Sequence, residues 1–188
     1  MKVSREQAAL NRERILEAAA QLFRERGFEG LGLADLMGTV GLTHGGFYGH
    51  FSSKEDLMAQ ACERAVTRSY EAWRHQVDRS AGDPLLPIAR SYLSARHRND
   101  PGAGCVLAAL GSDLARQGPD VRRAVTEGVR RSIDLLAGTI AAGSRRKRQK
   151  AITAYAGWVG AMIMARAVDD PALSQEILDA ALASCTKS

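Results

Sequence analysis

The chain has 188 residues, 45% of them hydrophobic and 25% charged, which suits one medium domain or a small domain joined to a larger one. Its net charge of +5 favours anionic partners, nucleic acid first. No apolar run reaches the roughly 20 residues needed to cross a bilayer, and the polar N-terminus lacks a signal-peptide core, so a cytoplasmic protein with no membrane contact is expected.

The segment "REQAALNRERILEAAAQLFRERGFEG" repeats Ile15, Leu16, Ala19, Leu22 and Phe23 at helical spacing and predicts a helix from about Arg5 to Arg26. Gly27 stands where a left-handed terminating residue is expected, and Phe28 is placed to cover the helix end. "LADLMGTVG" predicts a short second helix with Leu33, Leu36, Met37 and Val40 inward, broken by Gly41. Thr43 is placed to N-cap a third short helix, "HGGFYGH". Ser52 or Ser53 offers the next N-cap, with Glu55 or Asp56 at the capping-box position. The fourth helix then carries Leu57, Met58, Ala61, Cys62, Ala65, Val66, Tyr70, Trp73 and Val77 and ends near Arg79.

The remainder also reads as helix. A fifth runs over "PLLPIARSYLSARHRN", a sixth over "GCVLAALGSDLARQ" and a seventh over "DVRRAVTEGVRRSIDLLAGTIAAG". An eighth covers "RQKAITAYAGWVGAMIMARAV" and a ninth "ALSQEILDAALASC". No alternating strand pattern occurs. The expected fold class is all-α, with about nine helices.

Two short helices joined by a glycine-containing turn form the helix-turn-helix pattern, whose second helix enters the major groove of DNA. That groove is about 12 Å wide and takes a single helix, so bulky side chains would hold the helix out. Gly45 and Gly46 let the backbone approach closely. Thr43 and His44 can reach base edges, and Tyr48 and His50 can donate to phosphate oxygens. Lys54 sits in the first turn of the fourth helix, where free N–H groups already favour an anion. Phe47 and Phe51, four apart, are expected to pack inward.

"VGLTHGGFYGHFSSKEDL" resembles the signature segment of the TetR family of bacterial transcription regulators, with Gly41, Tyr48, His50, Phe51, Lys54, Glu55 and Leu57 matching. The likeness is specific over roughly residues 8 to 60, and the rest is similar as an all-helical segment of fitting length. It implies a helix-turn-helix domain over residues 1–52 and a helical effector-binding and dimerisation domain over residues 53–188. It implies a homodimer on palindromic double-stranded operator DNA, released by a small-molecule effector, with repression the expected outcome and activation or ligand binding alone the alternatives. Carried over by position, Thr43, His44, Gly45 and Gly46 lie on the recognition helix, and Tyr48, His50 and Lys54 fall where the family contacts phosphate. Gly32 stands where members usually have threonine or serine, so one phosphate contact is missing or comes from the backbone.

The last two helices of each subunit form the family's dimer. Ala154, Gly157, Ala161 and Ala165, with Ile177, Leu178, Ala181 and Leu182, make stripes that suit it. An alanine-rich internal core face is the alternative. Trp73, Tyr92, Tyr155, Trp158 and Met162 are candidate pocket residues, although such a stripe is more often plain core.

Cys105 opens the sixth helix after a glycine loop, with Arg96 and Arg98 near in sequence. Two readings stand: a thiol activated at a helix N-terminus that senses electrophiles or oxidants, as in a subset of the family with a similar "GC" and "GGFY", or a small buried apolar residue. Cys62 and Cys185 look structural, and three widely spaced cysteines argue against a disulfide framework and a zinc site. The basic run Ser144 to Lys150 is expected to be mostly loop, because positive charge at a helix N-terminus opposes the helix dipole. Four histidines lack metal-ligand spacing, and no nucleophile elbow or P-loop occurs, so neither an enzyme nor a cofactor or metal is expected.

Overall fold

The first helix, α1 (Arg5–Arg26), begins at Ser4, whose hydroxyl accepts from the Gln7 N–H. It ends at Gly27, which takes a φ of 76° that a side chain would strain. Phe28 then folds back onto Phe23, ring centroids 5.3 Å apart, and both are buried. The structure, a computed structural model, describes residues 4–140 and 146–185 and contains no strand among them. α2 (Leu33–Thr39) stops before Gly41, the second positive-φ glycine. A 3₁₀ helix, η1 (His44–Gly49), follows, and then α3 (Lys54–Arg79).

Ser53 N-caps α3 by accepting from the Asp56 N–H at 3.0 Å. Asp56 in turn accepts from the Ser52 backbone and hydroxyl and from Gln60. Those bonds, the Ser52 N–H first, hold the Asp56 carboxyl below its ordinary range. Arg14 on α1 donates to the carbonyl of Val40 at 2.8 Å and pins the end of α2.

Ile15, Phe23, Leu36, Met37, Phe47 and Leu57 close the core of this N-terminal unit. The same core runs on through Ala61 to Val66 of α3 and into α6 (Val106–Leu114) and α7 (Pro119–Thr139), through Val106, Leu110, Leu114, Val121 and Val125. α3 and α7 pack closest at Gly128, where a Cβ would stand 2.3 Å from a Val66 methyl.

The expected fifth helix is two helices, α4 (Leu85–Tyr92) and α5 (Ala95–Asn99). Leu93 leaves helical geometry, and Ser94 is extended, its hydroxyl accepting from the His97 N–H. An N-cap inside an apparently continuous pattern restarts the helix. α8 (Lys147–Ala167) and α9 (Pro171–Ser184) complete the molecule. Trp73, Ile88, Tyr92, Leu136, Trp158, Met162 and Leu178 form a second core.

The basic run corrects one expectation. α8 starts at Lys147, so Lys147, Arg148 and Lys150 lie in its first turn and not in a loop; Ser144 and Arg145 fall outside the described residues. Arg148 pairs with Asp134 of α7, and Ala151 is fully buried. An exposed charge opposing the dipole costs less than about 1 kcal/mol, which this packing offsets.

Candidate nucleic-acid interface and effector cavity

Thr43 precedes η1 with extended backbone, and its side chain makes no capping bond, contrary to the N-cap expected of it. Thr43, His44, Gly45, Gly46 and Tyr48 are exposed, while Phe47 between them is fully buried. Phe47 stacks on Phe51 at 5.6 Å and meets the Tyr48 ring edge-on at 5.2 Å. The two phenylalanines therefore anchor a ridge whose polar groups face outward. Nothing lies within 4 Å of a Cβ built at Gly45 or Gly49. The protein's own packing does not demand glycine there; the clearance is on the outer side.

Tyr48 is 64% exposed, and its hydroxyl bonds nothing among the described residues. His50 closes η1, its N–H donating to the Phe47 carbonyl at 2.9 Å. Lys54 donates from Nζ to the carbonyl of Phe28 at 2.7 Å, so its ammonium first holds the turn after α1. An ammonium has three donors, which leaves capacity for a phosphate. Gly32 is the N-cap of α2 and supplies no side-chain cap.

A cavity of about 320 Å³ lies among α3, α4, α5 and the loop before α6. Trp73, Tyr92, His97, Gly104 and Cys105 line it, with Arg68, Gln76, Arg96 and Asp100 among its polar members. Trp73 meets Tyr92, Tyr155 and Trp158 edge-on at 5.9, 5.1 and 6.0 Å. Tyr155, Trp158 and Met162 are buried in the second core and do not line the cavity, so of the expected pocket residues Trp73, Tyr92 and Cys105 face it.

Cys105 is the N-cap residue of α6, one position before its first turn. Its N–H donates to His97 Nε2 at 2.9 Å, and His97 Nδ1 lies 2.7 Å from the Tyr92 carbonyl. Those partners assign the proton to Nδ1 of a neutral imidazole. Burial lowers the His97 pKa, and Arg166 lowers it further, against the Tyr92 carbonyl and Asp100, which raise it. The Cys105 Sγ is 3.8 Å from the Tyr155 hydroxyl. Burial, reinforced by the neighbouring Cys105 side chain, pushes the Tyr92 and Tyr155 hydroxyls well above the usual phenol range.

The cationic neighbours of this segment are not only the ones nearest in sequence. Arg98 is occupied with Ser174 at 3.1 Å, and Arg96 lines the cavity. Arg24 of α1 instead donates from Nε to the Gly102 carbonyl at 2.8 Å, with a second bond from Nη2. Arg166 of α8 donates to the carbonyls of Arg98 and His97. Sequence reasoning missed Arg24, His97 and Arg166: in "QLFRERG" three charged residues follow Phe23, and only the tertiary fold shows which turns inward. Of the remaining thiols, Cys62 is pushed up to about 12 by burial, and Cys185 accepts from Trp158 Nε1 at 3.2 Å.

Residues 15–61 match the family model described as bacterial regulatory proteins of the tetR family, and residues 81–181, over half the chain, match that of the tetracyclin repressor-like C-terminal domain. The chain belongs to the TetR family. It is a DNA-binding transcriptional regulator and not an enzyme. It is 28% identical over 166 residues to the HTH-type transcriptional repressor NemR of Escherichia coli strain K12, covering 82% of this chain and 83% of that protein. The crystal structure of E. coli NemR in its reduced form superposes with a TM-score of 0.79, covering 93% of this chain and 94% of that one, at 28% identity. A TetR regulator from Chloroflexus aurantiacus J-10-FL superposes at 0.81 over 97% of this chain and 98% of that one; at 21% identity that likeness shows the fold.

In this TetR-family chain the small-residue stripe divides. Ala161, Ala165 and Leu178 are buried in the protomer's own second core. Ala154, Ile177, Ala181 and Leu182 are half-buried against it, and Gly157 is exposed. The outward face of α8 carries Ile152, Ala156, Gly157, Ile163 and Met164, beside Leu173 of α9. Among the described residues no helix is long and apolar enough to cross a membrane, and no acidic, histidine or cysteine cluster could hold a metal ion.

Proposed function

We propose that the protein is a homodimeric repressor that reads a palindromic operator with η1 and leaves it when the cavity is filled by a small molecule or the Cys105 thiol is modified. One observation carries the reading: Thr43 and, on η1, His44, Gly45, Gly46 and Tyr48 are exposed along one ridge while Phe47 roots it in the core. Thr43 and His44 read bases; Tyr48, His50 and Lys54 hold phosphates. The thiol arm is supported by Cys105 lining the cavity and by the likeness of its "GC" and "GGFY" segments to a subset of the family.

Dimerisation uses the outward face of α8 and α9, because a two-fold operator needs a two-fold protein. The test is fluorescence anisotropy with DNA from upstream of the protein's own gene. Tyr48→Ala combined with Lys54→Ala is expected to weaken binding to all sequences alike and to reduce the salt slope by about 1 to 2. His44→Ala is expected to lose about 1–3 kcal/mol of discrimination at one base pair. Unchanged affinity in both variants would leave a helical ligand-binding protein as the better reading, in keeping with Gly32 at the start of α2.

A further inference from the structure

Three buried side-chain donors among the described residues bond nothing: Arg24 Nη1, Arg166 Nη1 and the Tyr92 hydroxyl. All three belong to side chains gathered around the short segment that ends at Cys105. Arg24 holds the Gly102 carbonyl, and Arg166 holds the carbonyls of His97 and Arg98. Arg166 Nη2 lies 3.2 Å from where a Cβ of Gly104 would stand. Tyr92 shares the cavity wall with Gly104 and Cys105, and its ring meets His97 at 4.6 Å. Glycine is needed at 104 for this approach, where a Cβ would stand 2.6 Å from the His97 ring, itself held by two hydrogen bonds.

Neither arginine forms an ion pair among the described residues, and Arg24 is only 6% exposed. A buried cation whose hydrogen bonds all go to carbonyl oxygens, with Glu17 and Asp100 acting on Arg24 and Arg166 only from beyond ion-pair distance, is costly, and an unfilled donor adds to that cost. Burial lowers the pKa of both guanidiniums, opposed by Glu17 and then Cys105 at Arg24, and by Tyr92, Cys105 and Asp100 at Arg166. Two positive charges and three free donors lack one thing, a negatively charged oxygen within hydrogen-bond reach.

We propose that Arg24, Arg166 and Tyr92 form an oxyanion-receiving site beside Cys105, with Tyr92 in the cavity wall and the two guanidiniums behind Gly102 and Gly104, and that Arg24 carries its occupancy to α1. The inference rests on reading the cavity as the effector site. The oxyanion has two possible sources. One is the carboxylate of a small flat effector, its body against Trp73 and Tyr92; a cavity of about 320 Å³ lies at the small end of ligand sites. The other is the Cys105 sulfur after reaction with hydrogen peroxide. The thiolate attacks the peroxide oxygen, the S–O bond forms as the O–O bond breaks, and sulfur gives up two electrons. The departing hydroxide takes a proton and leaves as water, and the sulfenate oxygen bears the charge. An anionic acceptor outcompetes a carbonyl, so either source draws Arg24 away from Gly102 and frees α1 from the loop.

The test uses the full chain without DNA, so failure to bind an operator leaves it intact. Calorimetry compares benzoate with neutral benzamide. Benzoate is expected to bind on the order of tenfold tighter, with the advantage lost in Arg24→Gln and Arg166→Gln and partly restored in Arg24→Lys. If the glutamine variants do not fold, Tyr92→Phe removes one orphan donor without changing charge and is expected to cost a few-fold. In the second arm hydrogen peroxide is added and the Cys105 sulfenate is trapped with dimedone. Its lifetime should shorten in the same variants, and Cys105→Ser should abolish this arm alone. Success of one arm assigns the source of the oxyanion; failure of both overturns the site. Amide exchange around Arg24 should rise on occupancy, and unchanged exchange would overturn the link to α1.

Discussion

His97 shows how a single side chain sets the local chemistry. Its Nε2 accepts the Cys105 N–H, and its Nδ1 meets the Tyr92 carbonyl, so the ring serves only while neutral. Burial lowers its pKa below the ordinary 6.5. The unfolded chain therefore binds the proton more readily, and the His97 contribution is full above about pH 6.5 and lost as pH falls through the lower folded-state value. Thermal melts from pH 8 down to 5 should show a decline below 6.5 that is smaller in His97→Gln. A wild-type profile no steeper than the variant's would rule this out.

None of this was legible in the sequence, where His97 was one of four unremarkable histidines. The exposure of Thr43, His44 and Tyr48 is easier to read, because they belong to a local pattern and need no distant partner. Arg24, Arg166 and His97 are brought together from α1, α8 and α5, across sequence gaps that no local pattern spans.

At the scale of elements, periodicity predicted most of the helices because each buries a stripe against neighbours. α1 and α3 carry their expected apolar positions inward, and the exposed ion pairs of Glu17 with Arg64 and Arg68 register one against the other. The Arg68 hydrogen bonds hold the Glu17 carboxyl below its ordinary range. Such exposed pairs contribute about 0–1 kcal/mol each. The split between α4 and α5 was missed because apolar spacing continues across it, and only the Ser94 hydroxyl marks the break.

Gly128 decides the closest helix contact. Its Cβ would meet a Val66 methyl at 2.3 Å and Val66 Cβ at 2.5 Å, atoms too near their own backbone to swing aside. Gly128→Ala should therefore destabilise by about 1–3 kcal/mol through overpacking, despite gaining about 1 kcal/mol of helix propensity. A raised melting temperature in circular dichroism would refute the close contact. Gly138, on the same helix with nothing within 4 Å, is the control: Gly138→Ala should stabilise.

At the scale of the molecule, the core of the N-terminal unit extends through α6 and α7, so the DNA-facing and cavity-bearing parts share packed residues. A change at the start of α6 has a short route to α1 through Gly102 and Arg24. The outward face of α8 is where the proposed second copy would sit. Ile152, Ile163 and Met164 are 44, 43 and 57% exposed, more apolar surface on one helix face than a monomer keeps without reason. Ile152→Arg with Ile163→Arg should give a monomer in sedimentation velocity with unchanged helix content and sharply weakened operator binding. A dimer that survives the pair would place the interface elsewhere.

Cys62 gives the folded chain an internal clock. Its thiol, buried in the first core and pushed up to about 12, is silent toward an alkylating reagent at neutral pH. It reacts only in molecules that have opened the shared core, so its modification rate counts openings. With Cys105 and Cys185 replaced, a single fluorescent maleimide would time how often α3 parts from α1. Filling the cavity would then be readable as a change in that tempo.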